Sequence, residues 1–257
     1  LLKKLVYMVF VFFGKMGTMM ESTLFLNFLR WLMKKNKMVV IWDWNGTIVN
    51  DAFIFIKIMN YYLSQKNLPN ISLVDYKNHF CFPVIDYYKH LGFNLTNKSF
   101  KKMSGDFIQN YKKLMFKPSL VPGIKTLIKS LHGNGVPQFV VSAQEHSLLL
   151  ISVKHYGLSP FFDGVYGLQN FLAVSKIKLV SHVVKNVISN NFSPVLVGDT
   201  LHDFEVASGS GVTPCLVSFG HNSHKKLLKT GAFVASNVDD VALFLKNFKN
   251  NYLKKHL

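Results

Sequence analysis

Cysteine is nearly missing from this 257-residue chain: only Cys81 and Cys215 occur, far apart and in apolar surroundings. No paired spacing suggests a zinc site or a disulfide framework, and the two read as buried free thiols in a reducing compartment, the cytoplasm. Acidic residues are scarce as well, 13 against 30 basic ones, for a formal charge of +17. Such a surplus suits a phosphate backbone or an anionic membrane only where it is clustered. Here the lysines fall in scattered pairs (Lys3-Lys4, Lys34-Lys35, Lys101-Lys102, Lys112-Lys113, Lys225-Lys226, Lys254-Lys255). No long basic tract or aromatic-interleaved motif accompanies them, so no specific nucleic-acid partner is expected. Internal repeats and low-complexity linkers are also lacking. Disorder is excluded by a hydrophobic content of 49% against 17% charged. The length suffices for one sizeable core, or a core with a smaller insert.

The N-terminal stretch also lacks something. Its apolar run, Leu5 to Phe13, follows a basic start but is nine residues long, short of the roughly 20 a membrane span requires. No small-residue cleavage site follows it. A second apolar segment, Leu24 to Met33, is broken by Asn27 and Arg30 and is compatible with an amphipathic surface helix. We read residues 1–37 as an extension that precedes the true start, with Met33 or Met38 beginning the protein. The alternative is weak membrane association through residues 1–33. Without the first 37 residues the charge falls to about +11.

What is present is a series of apolar strands that end in oxygen-bearing side chains. Met38 to Trp42 runs into Asp43-Trp44-Asn45-Gly46-Thr47; Phe139-Val140-Val141 ends in Ser142; Pro194 to Val197 ends in Gly198-Asp199-Thr200-Leu201-His202-Asp203. Between the first two, helical spacing dominates from Asp51 to Leu63 and through Tyr76–His79, Val84–Leu91 and Phe100–Met115, punctuated by Pro69, Pro83, Gly92 and Pro118. Asn50 or Asp51 reads as the cap of the first of these helices. After Pro122-Gly123 the pattern alternates: helix to Leu131, strand 136–142, helix 145–156, an edge segment near Val165-Tyr166, helix 175–188, strand 194–198, helix 201–208, strand 213–217, and a closing helix Val238–Phe248. Uniformly apolar strands alternating with helices predict an α/β fold with a parallel sheet covered on both faces. Ligands bind such sheets at the carboxyl ends of the strands, where Asp43, Ser142 and Asp199 fall. The expected organisation is a core domain of residues 38–54 and 119–250, interrupted by an all-helical insert of residues 55–118.

Each motif alone is weak: Asp43 could merely cap a turn, Asn45-Gly46 form a tight turn, Ser142 an N-cap, and Asp199 and Asp203 complement a helix dipole. A lysine between the second and third motifs, Lys176 in Ser175-Lys176-Ile177-Lys178, completes the order, with Lys178 as its rival. In that order the four motifs resemble the haloacid dehalogenase superfamily, most closely its phosphoglycolate-phosphatase-like branch. The resemblance implies a Rossmann-like core with a helical cap, and a cytoplasmic Mg²⁺-dependent phosphohydrolase acting on a small phosphorylated metabolite. It implies Asp43 as the nucleophile that forms an aspartyl-phosphate. Asp43, the backbone carbonyl of Asn45, Asp199 and Asp203 would make the metal site, with Asp203 orienting the metal waters or the lysine. Thr47, Ser142, Ala143 and Lys176 would hold the phosphate.

One residue departs from the family pattern. Asn45 stands where most of its phosphatases carry an aspartate that protonates the leaving oxygen, and an amide cannot do so. Three readings follow: a leaving group needing little protonation, such as an acyl phosphate or phosphoanhydride; a proton from elsewhere, for instance His202; or a slow hydrolase that mainly binds a phosphorylated ligand. Gly220-His221-Asn222-Ser223 reads as an active-site rim or simply a polar loop. Lys89, His90 and His79 are the polar candidates of the insert.

Overall fold

The computed structural model describes residues 37–169, 176–188 and 192–255, which belong to the compact unit Met38–Leu257. The readings of the N-terminal extension and its membrane association lie outside the described residues. Among those residues no helix is long and apolar enough to cross a membrane.

The first strand, β1 (Lys37–Trp42), forms because an apolar run rich in β-branched residues is buried on both faces. Four helices follow it: α1 (Ala52–Ser64), α2 (Leu73–His79), α3 (Val84–His90) and α4 (Asn97–Leu114). Ser72 and Thr96 start α2 and α4 with reciprocal capping boxes, to Asp75 and Ser99. The chain then alternates through α5 (Ile124–Gly133), β2 (Gln138–Glu145), α6 (His146–His155), β3 (Gly164–Leu168) and α7 (Lys176–His182), which runs on into a π turn, Val183–Val187. It closes with β4 (Phe192–Gly198), α8 (Leu201–Gly209), β5 (Thr213–Val217), α9 (His224–Leu228), β6 (Phe233–Ala235) and α10 (Val238–Lys255).

The strands make a six-stranded parallel sheet in the order β3-β2-β1-β4-β5-β6, the expected Rossmann-like arrangement. Alternate side chains of each strand enter separate cores. Val40, Trp42, Val140, Val195 and Val197 pack under α5, α6 and α10, whereas Val39, Ile41, Val141 and Leu196 pack against α7 and α8. Trp42 illustrates the tightness. Its ring is fully buried and its Nε1 donates to Gln138 Oε1 at 3.0 Å, so truncation to alanine removes about 3–5 kcal/mol.

Helices α1 to α4 have an apolar cluster of their own, built on Ile54, Ile58, Tyr76, Tyr87, Tyr88, Phe107 and Tyr111. The chain enters and leaves this layer through two adjacent segments: Val49 bridges Leu120, and Val121 N–H donates to Ile48 C=O. The sequence reading found five of the six strands. It passed over β6, three residues long, and α9, five residues long, because so few residues carry no measurable period. Of the two thiols, Cys215 is buried as expected, while Cys81 is only partly so; both are free.

Candidate active site

The strand order reverses its sense of progression between β1 and β4, leaving a crevice beyond their carboxyl ends. Asp43 follows β1 and its N–H donates to Val197 C=O of β4; Asp199 follows β4 directly. Lys176 opens α7 and is buried, with its ammonium bonded to Asp43 Oδ1 and, at 2.6 Å, to Asp203 Oδ1. Lys178 is exposed, so of the two lysines the sequence offered it is Lys176 that is buried among the carboxylates. Ser142 is buried as well. It lies within β2 rather than at a helix start, because the strand continues to Glu145, which caps α6 in its place.

Thr47 is fully buried behind the carboxylates, its hydroxyl 3.4 Å from Asp43 Oδ2 and 3.2 Å from Asp199 Oδ1. Asp203 has both oxygens committed. Oδ1 pairs with Lys176, and Oδ2 accepts from Asp199 N at 3.1 Å, Thr200 N at 2.9 Å and Thr200 Oγ1 at 2.7 Å. It therefore fixes the lysine and the turn after β4 at once. Gly46 takes a left-handed φ of 76°, and a Cβ there or at Gly220 would collide with the Asp199 carboxylate. Close approach of backbone to carboxylate is what these two glycines permit.

Carboxylate oxygens of Asp43, Asp199 and Asp203 lie within 4.8 Å of one another, all three residues buried. Burial, reinforced by the charges of Asp203 and Asp199 against the pull of Lys176, pushes Asp43 up to about 8. Burial raises Asp199 to about 6 despite the nearby His221. Asp203 is the exception: burial opposes its ionisation, but the Lys176 ammonium holds it below the usual carboxylate value. Lys176 is raised, its desolvation outweighed by Asp203 and Asp43. Three carboxylates facing one ammonium leave negative charge in a dry site. A hard, all-oxygen set of this kind fits Mg²⁺.

Two further residues belong to this site: Asp51, read from sequence as a helix cap, and His221, read as either rim or loop. Asp51 occupies the cap position of α1, yet its side chain makes no cap bond. Fully buried, it turns back to accept from Gly46 N at 3.0 Å, Asn45 Nδ2 at 2.5 Å and Tyr111 Oη at 2.9 Å. His221, for which the sequence left an active-site rim and a polar loop both open, is buried too. Its Nε2 lies 3.3 Å from Asp51 Oδ1, its Nδ1 2.7 Å from Tyr76 Oη, and its backbone N–H donates to Asp199. Burial alone would lower this imidazole, but the hydrogen bond to Asp51 and the charges of Asp199, Asp51 and Asp43 raise it. The only sequence signal for the pair was the unusual juxtaposition of an amide at 45 with a carboxylate at 51.

Asn45 Nδ2 also reaches Tyr111 Oη at 2.7 Å. With the amide nitrogen engaged twice, the carbonyl oxygen is the group Asn45 has left for the cavity it lines. The readings that His202 or the insert's Lys89, His90 and His79 serve the site fare differently. His202 lines the cavity beside Phe82. By contrast, His79 and His90 stack on each other in an exposed position, and Lys89 pairs with Asp86 on the surface.

Above this floor the helices wall a cavity of about 720 Å³ that also includes Ser142, Ala143, Lys176 and Asp199. Loop and insert are tied together beside it. Asn222 donates to Phe80 C=O and accepts from Leu201 N–H, and the Lys77 ammonium meets the carbonyls of Ser218 and Phe219.

The profile of the haloacid dehalogenase-like hydrolases matches residues 40–217. No curated protein matches the sequence significantly. Among solved structures, a haloacid dehalogenase-like hydrolase from Streptococcus pneumoniae superposes with a TM-score of 0.69 at 18% identity, covering 81% of this chain and 98% of its own. A predicted phosphatase from Clostridium acetobutylicum gives 0.69 at 19% identity, covering 83% and 99%. A predicted phosphoglycolate phosphatase from Haemophilus somnus gives 0.63 at 18% identity, covering 81% and 97%. At these identities the structures attest the fold, and the profile match across most of the chain carries the classification: the protein belongs to the haloacid dehalogenase-like hydrolases.

Proposed function

We propose that this protein is a Mg²⁺-dependent phosphohydrolase that acts on a phosphorylated small molecule through an aspartyl-phosphate on Asp43. The observation that carries the reading is the convergence of Asp43, Lys176, Asp199 and Ser142 on one cavity floor at the reversal point of the sheet. Asp43 attacks phosphorus and the ester oxygen leaves; water then cleaves the acyl phosphate and restores the carboxylate, so one hard displacement becomes two easier ones. Asp43, the backbone carbonyl of Asn45 and Asp199 would hold the metal, with Asp203 fixing Lys176 and the turn. When bound, Mg²⁺ supplies positive charge against the phosphoryl oxygens. Lys176 and the Ser142–Ala143 segment bear on the same oxygens from the other side, and Thr47 orients Asp43 and Asp199. The helices of residues 55–118 serve as the cap that selects what carries the phosphate. A role in the cytoplasm accords with the free thiols.

Phosphate release from a panel of phosphate esters, with and without Mg²⁺, tests the proposal. Activity above the Asp43→Asn variant is expected. None on any ester, together with no phosphoenzyme from acetyl phosphate, rejects the enzyme and leaves a phospho-ligand-binding protein. The amide at position 45 favours that second reading, since it removes the usual proton carrier.

A further inference from the structure

We infer that the substrates are aryl phosphates: phosphate monoesters of a phenol with an apolar body. This rests on the phosphohydrolase reading and narrows it. Two independent observations meet here, one on the wall of the cavity and one on its floor.

The wall is aromatic. Beyond the floor, the cavity is bounded by Phe55, Tyr76, Phe80, Tyr88 and Phe107 among others, and its volume of about 720 Å³ is in the range that encloses a drug-sized ligand. A two-carbon phosphate would leave most of that space filled with water against apolar rings. The site is also poorly equipped for a second anionic group. The single arginine, Arg30, lies outside the described residues, and among those residues no guanidinium is present to grip a carboxylate or another phosphate. Among the described residues, Lys101 is the only lysine besides Lys176 that lines the cavity, and it is exposed. Two polar side chains on the wall are unsatisfied among the described residues: the Tyr87 hydroxyl, in a residue only 1% exposed, and the buried amide of Gln144.

The floor lacks an acid. Asn45 turns its nitrogen to Asp51 and Tyr111 and cannot give a proton to a departing oxygen. His221 uses one ring nitrogen on Asp51 and the other on Tyr76. An ester whose oxygen departs beside Asn45 therefore receives no proton from Asn45 or His221; His202, the remaining histidine of the cavity, sits beside Phe82 and faces Glu205. A phenol ionises near pH 10, whereas an alkyl alcohol resembles water, with a pKa of about 15.7. Aryloxide therefore departs where alkoxide does not. In the first step the Asp43 oxygen bonds to phosphorus and the phosphorus–aryl oxygen bond breaks, its electron pair leaving with the aryloxide. In the second, water bonds to phosphorus and the bond to Asp43 breaks. One proton of that water ends on the phosphate and the other, through solvent, on the phenol. Small acyl phosphates and phosphoanhydrides satisfy the floor but not the wall.

The test compares phenyl, 1-naphthyl and benzyl phosphate with phosphoglycolate on the full chain in Mg²⁺. Benzyl phosphate matches phenyl phosphate in shape but has an alkyl leaving group. We expect kcat/KM for the aryl esters to exceed that for benzyl phosphate by about 10²–10⁴-fold, the usual worth of a general acid, with benzyl phosphate still inhibiting competitively. Ser104→Trp, which fills the cavity from α4, should lower kcat/KM for 1-naphthyl phosphate at least tenfold more than for acetyl phosphate. Equal turnover of phenyl and benzyl esters would overturn the inference by revealing an acid in the site. A preference for phosphoglycolate over 1-naphthyl phosphate would overturn it on the wall. Labelling of Asp43 by acetyl phosphate without turnover of any aryl ester rejects the substrate class and keeps the enzyme; no labelling and no turnover reject both.

Discussion

The floor and the wall of the cavity are opposites in charge. On the floor, Asp43, Asp51, Asp199 and Asp203 sit within a few residues of strand ends, each with protein donors on its oxygens. The wall is largely apolar and rich in aromatic rings, with Phe55, Tyr76, Phe80, Tyr88 and Phe107 among its residues. Charges packed this closely in a dry site are tolerable only when geometry and partners are exact to a few tenths of an ångström. Apolar walls tolerate exchange far better. The difference teaches that the floor is committed to one chemistry, while the wall is where ligand choice resides.

The sharpest way to break this contrast is to alter the floor at Asn45. Asn45→Asp alone puts a second carboxylate against Asp51 where the amide now donates at 2.5 Å. The two then share a proton, and we expect little gain in activity and a lower melting temperature. Asn45→Asp combined with Asp51→Asn removes the conflict. Benzyl phosphate turnover should then rise by about 10²–10⁴-fold over wild type, measured as kcat/KM; a gain of that size from the single variant would refute the coupling. Next in size is Lys176→Met. It strands Asp43 and Asp203, both buried, and should cost about 3–5 kcal/mol in urea unfolding without metal. A comparable loss from Lys101→Met on the wall would erase the distinction drawn here.

A pH series sharpens it further. Asp43 and Asp199 are raised to about 8 and about 6 from 3.8. Between pH 4 and 8 the metal-free native state thus holds more protons than the unfolded chain. The stability these two groups contribute is complete below about pH 4 and is lost as pH rises through their native values. Mg²⁺ competes with those protons, so its affinity should climb by up to about tenfold per pH unit for each proton released between pH 6 and 8. Titration calorimetry in buffers of different ionisation enthalpy measures that release, and pH-independent binding would argue against these carboxylates as ligands. The smallest effect expected is from Tyr111→Phe, which removes one donor from Asp51. Three others remain, so about 1 kcal/mol should be lost.

Much of the fold was legible in the sequence because strands buried on both faces leave uninterrupted apolar runs, and polar residues at their ends stand out. Asp43, Ser142 and Asp199 were found in this way. Lys176 could be told from Lys178 only by order of motifs, and the structure separates them by burial. Asp51 was misread, and His221 was left open between rim and loop, for one reason. A carboxylate before a helix has the composition of a cap and a histidine between Gly220 and Asn222 that of a loop, and neither composition records which way the side chain turns. Asp51 turns inward because the turn at Gly46 brings two donors back toward it. His221 is buried because Tyr76 and Phe80 of the insert pack against it.

The sequence by itself determined the alternation of strands and helices, the helical interruption after β1, and the row of oxygen-bearing residues at strand ends. These follow from local periodicity and from the need to bury apolar strands in a parallel sheet. Only the tertiary structure decided that Asn45 shows its carbonyl rather than its amide nitrogen to the cavity, and that the wall above it is aromatic. Both depend on residues from distant elements, Asp51, Tyr111 and the helices of the insert, and the free energy that orients them comes from contacts made only once the chain has folded.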